Sequence, residues 1–246
     1  MRLAVFLALV LPLAAEEPLL RIPPARTVLD IGRQPIAITA SGAVWSAAHP
    51  DSSTLSLSAD LGDLQAHATE ILRANLDRSD QCGERISIQR AALRPEPPIA
   101  ILTIEMHFER WACAKAFGKT INKRLVAGDG TVRVALTPVL ESPTRARLDA
   151  EAREIHADGT LGDLLRSGSL GTTLREKIRS SVQSALDKAT DFRATLPSVL
   201  QDLVRLRSLA FAGSGDGHLS LTLNADAVIP AAQWQQLRAT AARRTN

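Results

Sequence analysis

The chain has no tyrosine and only eight other aromatic residues, five Phe and three Trp, in 246 positions. It carries two cysteines and no C-x-x-C pair, which argues against a thioredoxin-like redox motif. No apolar run approaches the roughly 20 residues that a membrane-spanning helix needs. Charge is nearly balanced at +3, and Arg and Lys look scattered, with only Arg238, Arg243 and Arg244 reading as a local basic cluster. A basic face interleaved with stacking aromatics is not visible, so nucleic acid is not an expected partner.

The first residues are organised. Arg2 precedes an apolar run from Leu3 to Leu13, and Leu13-Ala14-Ala15 supplies small residues before Glu16-Glu17. This is the pattern of a cleaved export signal. The expectation is a periplasmic or secreted protein cut near Ala15. In that setting Cys82 and Cys113 are expected to pair. Closing a loop of about 30 residues removes about 3–4 kcal/mol of unfolded-state entropy in the simple chain model.

The chain then divides into an extended segment (16–52), one α+β domain (53–230) and a flexible basic tail (231–246). Pro18, Pro23, Pro24 and Pro35 mark the first of these. Within it Ala43–Ala47 reads as a first strand, and Thr54–Ser58 alternates as a half-buried strand does. Leu61, Leu64, Ala68, Ile71, Leu72 and Leu76 share one helical face, with Asp60 as the cap. From Arg85 to Ala157 the pattern is a β-meander. Leu102, Ile104, Met106 and Phe108 alternate with Thr103, Glu105, His107 and Glu109, giving one dry and one wet face. Gly128-Asp129-Gly130 reads as a hairpin turn.

Folding the chain back between Pro97 and Pro98 brings the two cysteines to the open end of one hairpin. Their numbers add to an odd total, and an even one is expected for facing side chains. A bulge or a diagonal reach is therefore expected. A second helix is predicted between Leu161 and Leu186, where Leu170, Leu174, Ile178, Val182 and Leu186 recur every fourth residue. A last hairpin turns at Gly213–Gly217.

Motifs for chemistry are weak. The five histidines have no metal-ligand spacing, and no cofactor or metal is expected. His107 with Glu109 reads as a solvated face. Ser167-Gly-Ser-Leu-Gly171 lacks the first glycine of a nucleophile elbow and follows a helix rather than a strand. Gly213–Gly217 joins two strands and offers no helix N-terminus to a phosphate. No acid–base pair stands out, so no enzyme activity and no catalytic residue are expected.

The element order, in particular Ser53–Leu76 and Leu161–Leu186, resembles the TULIP group of lipid-binding domains. That group includes bactericidal/permeability-increasing protein and bacterial periplasmic relatives. The resemblance covers roughly Ser53 to Ile229. It implies a curved antiparallel sheet wrapped around a long amphipathic helix, with a second helix, and an acyl chain held between them. The implied groove is lined by Leu64, Ile71, Ile104, Met106, Phe108, Leu174, Ile178 and Val182. The implied function is a non-catalytic carrier for a lipid or other apolar small molecule, driven by burial at roughly 25 cal/mol per Å². The basic tail would add weak contact with a membrane surface. The alternative is an envelope interaction module with a closed core and no ligand.

Overall fold

The computed structural model describes residues 17–31, 33–47, 52–77, 82–116, 119–143, 145–157 and 204–228, with four single helical positions, Gly162, Thr172, Glu176 and Ser180. These residues are mostly antiparallel strand. The order is β1 (Leu20–Ile31), β2 (Gln34–Ser46), β3 (Ser52–Asp60), α1 (Gly62–Ala66), α2 (Ala68–Leu76), β4 (Gly83–Glu96), β5 (Ile99–Ala116), β6 (Lys119–Ser142), β7 (Arg145–Ala157), β8 (Val204–Gly213) and β9 (Leu219–Val228). They form a five-stranded sheet, β1-β2-β3-β9-β8, and a four-stranded meander, β4-β5-β6-β7.

The α+β class holds in a β-dominated form, with two short helices among the described residues. The long helix expected over Leu161–Leu186 falls outside the described residues except at those four positions. No described helix is long and apolar enough to cross a membrane.

The segment expected to lie ahead of the domain is instead built into it. β1 and β2 form a hairpin, and β2 pairs with β3 from Thr39↔Asp60 to Ser46↔Ser53. The prolines are accommodated because β1 is an edge strand and its register breaks between Ile22 and Ala25, where Pro23 and Pro24 sit. Proline has no ladder donor and is tolerated at such a place.

The Gly128-Asp129-Gly130 turn is also corrected. β6 runs straight through these residues, which pair with Phe108, His107 and Met106 of β5. The local turn preference yields because β5 offers a continuous partner over its whole length. A Cβ at Gly130 would stand 3.2 Å from the His156 carbonyl oxygen on β7, so a side chain there fits only if β7 gives by a few tenths of an ångström.

Cys82 and Cys113 are bonded, with Cα atoms 5.7 Å apart. The expected bulge and diagonal reach are both present, but the even-total premise behind them does not hold. A two-residue turn at Pro97-Pro98 makes facing partners add to the same odd total as the cysteines, from Glu96↔Ile99 to Arg90↔Glu105. A bulge at Gln89 then shifts the register, and Gly83 faces Trp111. The disulfide therefore reaches one step diagonally, past Ala112.

The sheets meet through β8, whose Phe211 and Leu206 backbone N–H groups donate to the carbonyls of Pro98 (3.0 Å) and Pro143 (2.6 Å). The main core gathers Leu72 and Leu76 of α2, Ile86 and Ile88 of β4, Ile104 and Phe108 of β5, Val132 and Val134 of β6, Phe211 of β8 and Leu219 at the start of β9. A second cluster lies between Val44, Leu55, Leu223 and Ala225 of the larger sheet and Ala146 of β7.

Candidate functional site

The site begins with how the helices are held. One helix was expected over Leu61–Leu76, but it breaks at His67, which has φ −101° and ψ 9°. Its Nδ1 bonds back to the Asp63 carbonyl oxygen at 2.9 Å. Asp60 does receive the Gly62 N–H at 2.8 Å, one position ahead of the cap residue Leu61.

Four polar residues at four-residue spacing then bond along β4, an outer strand of the meander. Gln65 Nε2 donates to the Leu93 carbonyl at 2.9 Å. The Thr69 hydroxyl accepts from Ala91 N–H at 2.9 Å and donates to its carbonyl at 3.2 Å. Arg73 donates to the carbonyls of Ile88 (2.8 Å) and Gln89 (2.7 Å), where the bulge disturbs the ladder. Asp77 accepts from Ile88 N–H at 2.7 Å. A helix face with this repeat presents its side chains in one line. The helices thus cap an edge that would otherwise leave backbone groups unpaired. Sequence reasoning missed this line; the signal was the spacing of Gln65, Thr69, Arg73 and Asp77.

Beside its bonds to the edge, α2 sends Ala68, Leu72 and Leu76 into the main core and so covers part of the meander's apolar face. A nine-residue helix is about 13 Å long, whereas the buried stretch of β5 from Ala100 to Phe108 extends for about 30 Å. Register shifts in β4, β6 and β7 bend the strands. Along β5, Leu102, Ile104, Met106 and Phe108 are buried as the alternation predicted.

Five of the eight residues assigned to the groove are described, and they are not all brought together. Ile104, Met106 and Phe108 sit in the main core. Ile71 faces the other way, against Ile31 and Ile36 of the β1–β2 hairpin. Leu64 is half-buried and touches both clusters. A break at His67 and a helix lying along an edge rotate Ile71 away from the meander. Leu174, Ile178 and Val182 lie outside the described residues.

The wet face of the meander holds a polar network. Glu109 accepts from the Trp111 indole N–H at 2.8 Å and from Arg124 at 3.2 Å. Arg85 stacks 4.5 Å from the Trp111 ring centre. His107 Nδ1 lies 2.8 Å from Asp129, which also accepts from Gln89 at 2.9 Å. The Trp111 hydrogen bond holds Glu109 below the ordinary carboxylate range; desolvation opposes this and Arg124 reinforces it. The His107 contact does the same for Asp129. Glu109 and Asp129 are each matched by donors. Among the described residues no group of three or more His, Cys, Asp or Glu is arranged to hold a metal ion.

Fold and site together define a two-sheet antiparallel β protein with an edge-capping helix pair and a buried apolar core on one side of the meander. No family model and no curated protein matches the chain. Among solved structures it is similar to one described as a lipopolysaccharide binding protein, at 13% identity and a TM-score of 0.40. The likeness covers 58% of this chain, which spans only 31% of that protein.

Proposed function

We propose that the protein is a non-catalytic TULIP-like carrier for a lipid or other apolar ligand, periplasmic or secreted after cleavage near Ala15. The observation that carries this reading is the commitment of α1 and α2 to the β4 edge. The apolar residues of β5 and β6 are buried, and α2 reaches only part of them through Ala68, Leu72 and Leu76. The carrier reading places an acyl chain against Ile104, Met106 and Phe108. Binding would be partition of apolar surface out of water, with no bond made or broken.

The test is extraction of the purified mature protein with organic solvent and mass spectrometry of the extract, together with titration of a fluorescent fatty acid. Co-purified lipid and saturable binding are expected. Protein that carries nothing and leaves the probe unbound would overturn the reading.

One observation favours the second reading, a closed-core envelope interaction module. Ile104 is 0% exposed and shares its cluster with Phe211 and Leu219 from the β8–β9 hairpin, so side chains from the other sheet already reach this face. The same titration separates the two, since a closed core takes up no probe.

A further inference from the structure

The β5–β6 hairpin overhangs its neighbours. β4 pairs with β5 only as far as Gly83↔Trp111, and β7 pairs with β6 only as far as Ala157↔Gly130. Beyond these points, among the described residues, the two strands have only each other, out to Ala116↔Lys119. The ribbon past Trp111 is about 17 Å long. Its base is tied down by the Cys82–Cys113 bond and by the stack of Arg85 on Trp111.

Its composition differs from the rest of the chain. Arg110, Lys115, Lys119, Lys123 and Arg124 are all cationic, and no Asp or Glu occurs between Glu109 and Asp129. Among the described residues Lys115 and Lys123 are exposed and make no ion pair. Two large apolar side chains of the arm stand in water, Ile121 at 57% and Leu125 at 58% exposure; Ile121 shares a face with Lys123, and Lys115 lies on the other face. Leu125 is the unpaired residue of a bulge, and Ile121 faces Ala114 across the ribbon.

We infer that this hairpin arm docks the protein on an anionic lipid bilayer. Cations draw a protein to such a surface, and neighbouring aliphatic side chains enter the interface once there. Charges on an edge strand also discourage strand pairing, but that role calls for no exposed Ile and Leu. An acidic protein strand is the less favoured partner, because the Leu125 bulge interrupts the edge it would pair with. The arm starts where the dry face of β5 ends. Phe108 is buried, and Arg110, two positions along on the same face, is exposed. A bilayer met by the arm therefore meets the mouth of the apolar face. This purpose rests on the carrier reading; the docking itself does not.

The experiment is co-sedimentation of the mature full-length protein with vesicles of phosphatidylcholine alone, or with one part in three phosphatidylglycerol. Wild type is expected to bind only the anionic vesicles, more weakly at higher salt. K115E/K123E is expected to lose at least tenfold, from about fivefold per cation. I121S/L125S is expected to bind more weakly than wild type at low and at high salt alike. A variant neutralised at Arg238, Arg243 and Arg244 is expected to keep most of it. Wild type that ignores anionic vesicles, or arm variants that bind like wild type, would overturn the inference. Capture of soluble polyglutamate in place of vesicles would overturn it in favour of an acidic protein partner. Fluorescent fatty-acid binding, measured in parallel, is expected to be unchanged in both arm variants. Its absence in wild type counts against the carrier reading alone.

Discussion

Thr69 and Ala91 hydrogen-bond in both directions, hydroxyl to carbonyl and N–H to hydroxyl. One side chain thereby satisfies both backbone groups of a residue that no strand of the meander pairs on that side. Thr69→Val keeps the shape and removes both bonds. The expected cost is about 1–3 kcal/mol, because two backbone groups are left unmet. Thr69→Ser should recover most of it. Urea denaturation of the three proteins measures this, and equal midpoints would refute the capping role.

Gln65 joins three segments. Besides Leu93 it donates to the Gly217 carbonyl at 3.0 Å and accepts from Leu219 N–H at 2.8 Å. Gln65→Ala is expected to cost about 1–3 kcal/mol and to speed amide exchange at Leu219. Hydrogen exchange reads the second effect, and an unchanged rate at Leu219 would argue against it.

Replacing Cys82 and Cys113 by serine is expected to lower stability by about 3–4 kcal/mol in the chain-entropy account. Thermal melting with and without reductant should show the wild-type shift and none in the double variant. On the two faces of β5, Phe108→Ala should cost about 3–5 kcal/mol, whereas the wet-face change Thr103→Ala should stay within about 0.5 kcal/mol.

Acid should weaken the wet-face network. Glu109 and Asp129 are held below the ordinary carboxylate range in the folded protein. Their contribution is therefore present above about pH 4 and is lost as pH falls through the lowered values. Melting temperature should fall more steeply between about pH 5 and 2.5 in wild type than in Asp129→Asn. Parallel curves would show that Asp129 contributes nothing through this linkage.

The strands were legible where one face is wet and the other dry. Leu102 to Phe108 alternates cleanly because β5 is buried on one side only. The Gly213–Gly217 turn was legible from its chemistry, with Gly217 at φ +82° and Asp216 accepting the His218 N–H at 3.0 Å. Gly128-Asp129-Gly130 carries the same turn chemistry and misleads, because long-range pairing with β5 outweighs a local preference. Pro23 and Pro24 obscured β1, since a bulge in an outer strand leaves no periodic trace. Of the residues assigned to the implied groove, Ile104, Met106 and Phe108 share a face, and Ile71 does not join them. Which flank of α2 meets the meander depends on the line of bonds from Gln65 to Asp77, and a hydrophobic pattern alone does not carry that information.

The paired prolines of β1 have an effect that reaches past this molecule. At the rim of the five-stranded sheet they remove two amide hydrogens and offset the ladder by a residue. A strand from a second molecule arriving there would find the first few bonds and then a gap. Stacking of copies into fibrils through that rim is thereby discouraged even when the protein is concentrated.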